Sequence, residues 1–171
     1  MDDLDIRLLV DLLKDRITPD KDLGQHFLLD ESVVDRSIEI ANNSEPMTSD
    51  SRVIEIGPGA GSLTLSLLRT GSSVTAFEVD EEAVSHLTRV FNGADGRLEV
   101  INQDALLADW PKDASHIVAN IPYQISSPLL ERIQKFHSQY PLSSVVLLLQ
   151  DEFAERMTIN RNDTASGPLS L

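Results

Sequence analysis

The amino-acid sequence predicts an α/β fold in which a parallel sheet is doubly wound, with helices on both faces. From Arg52 onward, short apolar runs alternate with segments of helical periodicity, which is the pattern of βαβ units. A glycine-rich turn follows the first apolar run, and polar residues follow the later ones. Because open α/β sheets bind ligands beyond the carboxyl ends of their strands, these features together predict a binding site at that edge.

The composition is that of one globular domain. The chain has 171 residues, of which 41% are hydrophobic and 25% are charged. No apolar run approaches the ~18 residues of a membrane span, and the N-terminus lacks the pattern of a secretory leader. The absence of cysteine excludes disulfides and thiolate metal ligands. We therefore expect a cytoplasmic monomer that does not bind membranes and needs no metal.

The charge balance is unusual for a protein that binds nucleic acid. Fourteen basic residues against 28 acidic ones give a net charge of −14, whereas a phosphate-binding surface is expected to be basic. Either the basic surface lies outside this sequence, or the host has a salt-rich cytoplasm in which acidic surfaces are well solvated. Asp outnumbers Glu and Arg outnumbers Lys, which favours the second explanation.

Two helices are predicted before the sheet. Residues Asp2–Arg16 carry leucines at helical spacing, and acidic residues at their start suit a helix N-terminus. A polar loop that includes Leu23–Leu28 follows. Asp30 is a suitable N-cap for the second helix, Glu31–Ala41, which has one apolar face.

Five strands and four helices are predicted after residue 51. The predicted strands are Val53–Ile56, Val74–Phe77, Leu98–Ile101, Ile117–Ala119 and Val145–Leu149. The predicted helices are Ser62–Arg69, Glu81–Phe91, a helix that begins at Ser126, and Asp151–Met157. Asp80 is the expected N-cap of the second of these helices. We read Asn160–Leu171 as a polar loop and expect the sequence to stop within a sixth strand.

The glycine-rich turn has the sequence Gly57-Pro58-Gly59-Ala60-Gly61. Such a turn lets a ligand approach the backbone and offers N–H groups at a helix N-terminus. A dinucleotide-binding turn has its third glycine three residues after the second, but Ser62 occupies that position. This departure argues against NAD and favours S-adenosylmethionine. A glycine turn between a strand and a helix is also a common structural feature without a ligand.

Acidic residues follow the second and third strands. Glu78 lies about 20 residues after Gly57, where an acid accepts hydrogen bonds from ribose hydroxyls. Asp104 follows the third strand, where a carboxylate can accept from an adenine amino group. The alternatives are a solvated strand-end carboxylate for Glu78 and a turn-forming residue for Asp104. Because these features follow strands one, two and three in order, they predict a nucleoside site.

The fourth strand leads into Asn120-Ile121-Pro122-Tyr123, which suits the binding of a nucleobase. The amide oxygen of Asn120 and the carbonyl oxygen of Ile121 can accept the two hydrogens of an exocyclic amine, while Pro122 restricts the turn. Tyr123 can stack on the base, a contact worth ~1–3 kcal/mol. An amide is a neutral acceptor, so the amine can lose a proton after methyl transfer without first forming a buried ion pair. The alternative is an ordinary Asn-x-Pro turn.

Six segments together resemble the adenine N6,N6-dimethyltransferases of small-subunit ribosomal RNA. They are Leu23–Asp30, Val53–Leu68, Phe77–Asp80, Asn102–Leu106, Val118–Leu130 and Leu147–Met157. The resemblance implies the Rossmann-like fold of S-adenosylmethionine-dependent methyltransferases and dimethylation of adenosine N6 in ribosome biogenesis, with small-subunit rRNA or a pre-ribosomal small subunit as the partner. It divides the chain into an N-terminal helix and linker, residues 1–22, and a methyltransferase domain, residues 23–171. We expect that domain to lack its last strands and a C-terminal helical domain.

The resemblance also implies which residues form the site. The cofactor-binding residues would be His26, Leu28, Gly57, Gly59, Glu78, Asp104 and Asn120. The catalytic residues that hold the target adenine would be Asn120, Ile121, Pro122 and Tyr123. Two departures affect RNA binding: Asp20-Lys21-Asp22 is acidic on balance where the family tends to be basic, and Ser166–Leu171 lacks a tyrosine and an arginine of the family pattern.

Three other functions are compatible with parts of this pattern. Methyltransferases of large-subunit rRNA adenine share the motifs. A ribosome-assembly factor could use the same fold to bind immature rRNA with catalysis lost. A NAD-dependent oxidoreductase is disfavoured by Ser62 and by the base-binding sequence that begins at Asn120.

Overall fold

The structure is a computed structural model that describes residues 4–14, 30–92, 94–121 and 123–149. The described helices are α1 (Ile6–Lys14), α2 (Glu31–Ala41), α3 (Ser62–Arg69), α4 (Glu81–Val90) and α5 (Ser126–Gln139). The described strands are β1 (Arg52–Ile56), β2 (Ser73–Glu78), β3 (Leu98–Asn102), β4 (His116–Asn120) and β5 (Ser144–Leu148). A short 3₁₀ turn, Tyr123–Ile125, precedes α5. The predicted helix Asp151–Met157 and the loop that follows it lie outside the described residues.

The five strands form one parallel sheet in the order β3-β2-β1-β4-β5. This arrangement confirms the predicted fold class, and each predicted strand is present with bounds that differ by one residue at one or both ends. The strand order reverses at β1, which pairs with β2 on one side and β4 on the other. In open α/β sheets such a reversal is the place where ligands bind.

Alternating residues of β1 contact two different apolar clusters, one on each face of the sheet. Val53 packs in a cluster with Leu65 of α3 and Leu87 of α4. Ile54 and Ile56 pack in a second cluster, which includes residues of α5. Helices therefore cover both faces, as expected of a doubly wound sheet. Because side chains alternate along a strand, the intervening residue Glu55 lies on the α3 face.

Two predicted N-caps are confirmed. The Asp30 carboxylate accepts a hydrogen bond of 2.9 Å from the Ser32 N–H at the start of α2. The Asp80 carboxylate accepts from the Glu82 N–H at 2.8 Å at the start of α4. Each cap satisfies an N–H group that has no partner within its helix. The first helix begins at Ile6, later than the predicted Asp2, and Asp5 accepts a hydrogen bond from the Leu8 N–H in its first turn.

Helix α1 packs against α3 and α4, on the side of the sheet that carries the glycine-rich turn. Its Val10 and Leu13 form a small apolar cluster with Ala60 of that turn. In the described part of the chain, no helix has the length and apolar character needed to cross a membrane.

Gly61 offers a test of the packing between the turn and α4. Its φ is +93°, and a Cβ atom there would lie 2.6 Å from Phe91 Cε2 and 2.9 Å from Leu87 Cδ2. We expect Gly61→Ala to lower the free energy of unfolding by about 2–4 kcal/mol, because it adds backbone strain and overpacks the contact with α4. Urea denaturation measures this loss.

Gly96→Ala is the matched control for that experiment. Gly96 also has a positive φ, +73°, but a Cβ atom there would have no neighbour within 4 Å. Gly96→Ala therefore measures the loss in the free energy of unfolding that the positive φ alone causes. Equal losses in the two variants would show that the contact with α4 contributes nothing to the requirement for glycine.

Candidate functional site

The carboxyl ends of β2, β1 and β4 bring three predicted site residues together. The Gly57 N–H donates to the Phe77 carbonyl at 3.0 Å, so the turn continues the pairing of β1 with β2. On the other side, a Cβ atom on Gly57 would lie 3.3 Å from the backbone oxygen of Asn120. Glu78 and Asn120 end the two strands that flank β1. Gly57, Glu78 and Asn120 therefore line one edge, as the sequence predicts.

The glycine-rich turn is built from residues in the left-handed region of φ. Gly57 and Gly59 have φ values of +67° and +54°, and Gly61 is the N-cap of α3. The Gly61 N–H donates to the Pro58 carbonyl at 2.9 Å, which closes the turn. The third glycine of the turn is at position 61 and not at position 62, where the dinucleotide pattern has it. This position has a structural cause, because residue 61 must be small to fit against α4.

Glu78 is buried and holds the glycine-rich turn against β2. Its side chain is 7% exposed, which contradicts the alternative of a solvated carboxylate. Oε2 accepts from the Gly59 N–H at 3.1 Å, and Oε1 accepts from the N–H groups of Val79 and Asp80 at 2.8 and 3.1 Å. Burial raises the pKa of Glu78, and these backbone hydrogen bonds oppose that rise.

Asp104 lies in the loop that follows β3, and its carboxylate shapes that loop. Oδ1 accepts from the Leu106 N–H at 2.8 Å, which is the turn-forming arrangement that the sequence left open. The end of β3 is tied to β2 by Asn102, whose side-chain Nδ2 donates to the Glu78 carbonyl at 3.0 Å. The loop carrying Asp104 therefore begins directly beside Glu78.

Two exposed apolar side chains near this edge were missed by the sequence analysis. Val79, directly after Glu78, is 54% exposed, and Leu107, three residues after Asp104, is 76% exposed. Exposed apolar side chains at loop positions that follow Glu78 and Asp104 are suited to contact an aromatic ligand. The sequence could have indicated both residues, because each lies within three residues of a predicted site acid.

A side chain of helix α5 forms hydrogen bonds with the loop that follows β3. The Arg132 guanidinium donates to the Leu106 carbonyl at 2.8 Å and to the Ala108 carbonyl, and it lies 4.7 Å from the Trp110 ring centroid. The indole N–H of Trp110 donates to the Ala105 carbonyl at 3.0 Å. This cation–π and hydrogen-bond network determines the path of the loop after Asp104.

The base-binding sequence is described only at its start. Asn120 is half-buried at the end of β4, and Ile121 is buried with its N–H donating to the Leu148 carbonyl at 3.2 Å. Pro122 and the side chain of Tyr123 lie outside the described residues, as do His26 and Leu28. For these four, the sequence interpretation stays a prediction.

Glu55 is a buried carboxyl that the sequence analysis did not assign to the site. It is fully buried under α3, and its Oε2 accepts from the Thr64 hydroxyl at 2.7 Å. Oε1 has no hydrogen-bond partner among the described residues. Burial raises the pKa of Glu55 to about 8, and the nearby Glu78 adds to that rise. The signal in the sequence was a carboxyl within the apolar run of β1.

Together, the sheet order, the glycine-rich turn and the buried acid at the end of β2 define the Rossmann-like fold of S-adenosylmethionine-dependent methyltransferases. Residues 18–171 match the family described as ribosomal RNA adenine dimethylase. The chain belongs to this family. A ribosomal RNA small subunit methyltransferase A from Halothermothrix orenii is 38% identical over 160 residues, covering 88% of this chain and 51% of that protein.

Two solved structures are similar to this chain. A dimethyladenosine transferase from Plasmodium falciparum has a TM-score of 0.70 and 35% identity, over 81% of this chain and 48% of that one. The 23S rRNA methyltransferase ErmE has a TM-score of 0.65 and 30% identity, over 78% of this chain and 51% of that one. The chain spans about half the length of the curated relatives it matches.

Glu55→Gln tests the protonation of the buried carboxyl through stability. The folded-state pKa of about 8 lies above the ordinary value of 4.5, so the unfolded chain ionises first as the pH rises. The contribution of Glu55 to the wild-type free energy of unfolding is therefore fully present below pH 4.5. It is lost as the pH rises through about 8, with a slope approaching ~1.4 kcal/mol per pH unit. The variant lacks this loss, so its free energy of unfolding relative to the wild type should rise across this range.

Urea denaturation at several pH values measures that difference. Glu99→Gln, the same change at an exposed position of β3, is the matched control and should give a pH profile parallel to the wild type. Parallel profiles for Glu55→Gln and the wild type would contradict a protonated Glu55.

Proposed function

We propose that the protein transfers methyl groups from S-adenosylmethionine to N6 of adenosine in small-subunit rRNA and so produces dimethyladenosine. The observation that carries this proposal is the convergence of Gly57, Glu78 and Asn120 at one sheet edge in a member of the rRNA adenine dimethylase family. The partner would be small-subunit rRNA or a pre-ribosomal small subunit, and the protein would act in the cytoplasm as a monomer.

The residues at the edge suit an adenosine-bearing cofactor. Glu78 would accept from ribose hydroxyls through Oε2, which accepts one backbone hydrogen bond, whereas Oε1 already accepts two. Asp104 would accept from the adenine amino group, with Val79 and Leu107 against the faces of the ring. The lack of a side chain on Gly57 lets the turn lie against the backbone of Asn120 at the end of β4. By family resemblance, Gly59, His26 and Leu28 would complete this site.

The end of β4 would hold the target base. The Asn120 amide oxygen and the Ile121 carbonyl would accept the two hydrogens of the adenine amine and direct its lone pair toward the methyl group. Tyr123 would stack on the base, and Pro122 would restrict the turn. Bound S-adenosylmethionine would supply an electrophilic methyl group on a sulfonium. The target base must leave its stack to reach this position.

Asn120→Ala tests the binding of the adenine amine. We expect methyl transfer to slow about 100-fold or more, because a preorganised acceptor is lost, while cofactor affinity changes less. Incorporation of labelled methyl groups into purified small subunits by the full-length protein measures the rate. Asn92→Ala, at an exposed position after α4, should keep the wild-type rate. A wild-type rate in Asn120→Ala would exclude this role of the amide.

Glu78→Ala tests the cofactor site. We expect the dissociation constant for S-adenosylmethionine to rise about tenfold or more, because ribose acceptors are lost and the Gly59 N–H is released. Titration calorimetry measures the constant. Glu81→Ala, at the exposed start of α4, is the control and should bind normally. An unchanged constant in Glu78→Ala would remove the ribose role.

Methylation of large-subunit rRNA is a second candidate, because the 23S rRNA methyltransferase ErmE shares the fold at 30% identity. The relatives named for the small subunit share 35–40% identity, which favours the first proposal. Mass spectrometry of rRNA nucleosides after incubation with either subunit separates the two. Binding to the small subunit without incorporation would instead indicate an assembly factor that lacks catalysis.

A further inference from the structure

Glu55 is a buried carboxyl with no part in the methyl transfer proposed above. An apolar residue would continue the run of Val53, Ile54 and Ile56 without the cost of burying a carboxyl. Thr64 bonds to one of its oxygens, while the other has no partner among the described residues. A half-satisfied buried carboxyl is unfavourable for folding, which points to a functional reason for this residue.

Among the described residues, the groups next to Glu55 form no ion pair with it. Its neighbours by register, Ala76 of β2 and Val118 of β4, are apolar, and α3 contributes the neutral Thr64. The charged group that acts on it is Glu78, which has the same sign. From α4, the buried His86 faces the turn with its Nε2 3.2 Å from the Ala60 carbonyl oxygen. Within the described residues, no Lys or Arg forms an ion pair with Glu55.

Glu55 lies one side-chain layer below the site. Glu78 and Asn120 follow its register neighbours by two residues each, so they stand on the same face about 7 Å further along the sheet. Gly57 lies between them. A sulfonium placed to donate its methyl group at Asn120 would lie close to Gly57. The sulfonium charge near Gly57 would act on the Glu55 carboxyl electrostatically, because the buried surroundings of Glu55 screen charges weakly. The Glu78 carboxylate already acts on Glu55 in this way.

We propose that Glu55 makes the site selective for the sulfonium form of the cofactor over the neutral thioether that remains after methyl transfer. The inference rests on the proposed function. While the sulfonium is bound, ionised Glu55 compensates its charge. During transfer, the sulfur–methyl bond breaks with its electron pair on sulfur, the nitrogen–methyl bond forms, and the amine releases a proton to solvent. With the charge gone, Glu55 takes up a proton from solvent. S-adenosylhomocysteine would then be held less tightly than the substrate.

The folded-state pKa of Glu55, about 8, agrees with this exchange of a proton near neutral pH. Glu55 acts on the ligand through its charge and makes no contact with the reacting atoms. A purely structural role would not produce a preference that depends on both the pH and the charge of the ligand.

Titration calorimetry on the full-length protein tests the proposal. The dissociation constants for S-adenosylmethionine and S-adenosylhomocysteine are measured below and above the pKa of Glu55. In the wild type we expect the preference for the charged ligand to grow about tenfold across this range. In Glu55→Gln the preference for S-adenosylmethionine should change with pH only as far as ionisation of the amino groups of the two ligands changes it. Glu99→Gln, on the exposed side of β3, is the matched control and should behave as the wild type.

Thr64→Val is a second variant that keeps the carboxyl. Loss of the hydroxyl removes a hydrogen bond that lowers the pKa of Glu55, so the pH at which the preference grows should move upward. This variant carries the test if Glu55→Gln does not fold. An unmoved midpoint in Thr64→Val, or the same preference in Glu55→Gln as in the wild type at each pH, would overturn the role of Glu55. Failure of the wild type to bind either ligand would instead overturn the proposed function.

Discussion

The geometry of the site depends on the hydrogen bonds that join the glycine-rich turn to the end of β2. The Gly57 N–H donates to Phe77 and the Gly59 N–H to the Glu78 carboxylate, so a turn of unusual backbone conformation is held against a strand that is paired on both sides. The backbone is therefore arranged before a ligand arrives. Preorganisation of this kind reduces the conformational entropy that binding has to overcome.

Much of this fold was predictable because its signals are local. Strands in the centre of a parallel sheet are buried on both faces and appear as continuous apolar runs, which is how β1 and β4 are recognised. Helices α2 and α4 begin where Asp30 and Asp80 precede periodic apolar residues. The strand ends were less predictable, because a residue such as Asn102 joins a strand through its pairing partner.

The candidate site was predictable where its residues follow strand ends in order, as Gly57 and Glu78 do. Contacts between distant elements left no local pattern. The burial of Glu55 results from α3 lying over it, and the sequence analysis assigned its carboxyl no role. The requirement for Gly61 comes from α4, and the loop after Asp104 depends on Arg132, 26 residues beyond Leu106.

The position of Arg132 has a consequence for how the two halves of the site communicate. Helix α5 begins just after the segment proposed to hold the base, and one of its side chains carries the loop beside the adenine position. On the proposed assignment of the site, a displacement of α5 on RNA binding would move the loop that carries Asp104, because Arg132 bonds to that loop. Cofactor and RNA would then change each other's affinity by the same factor.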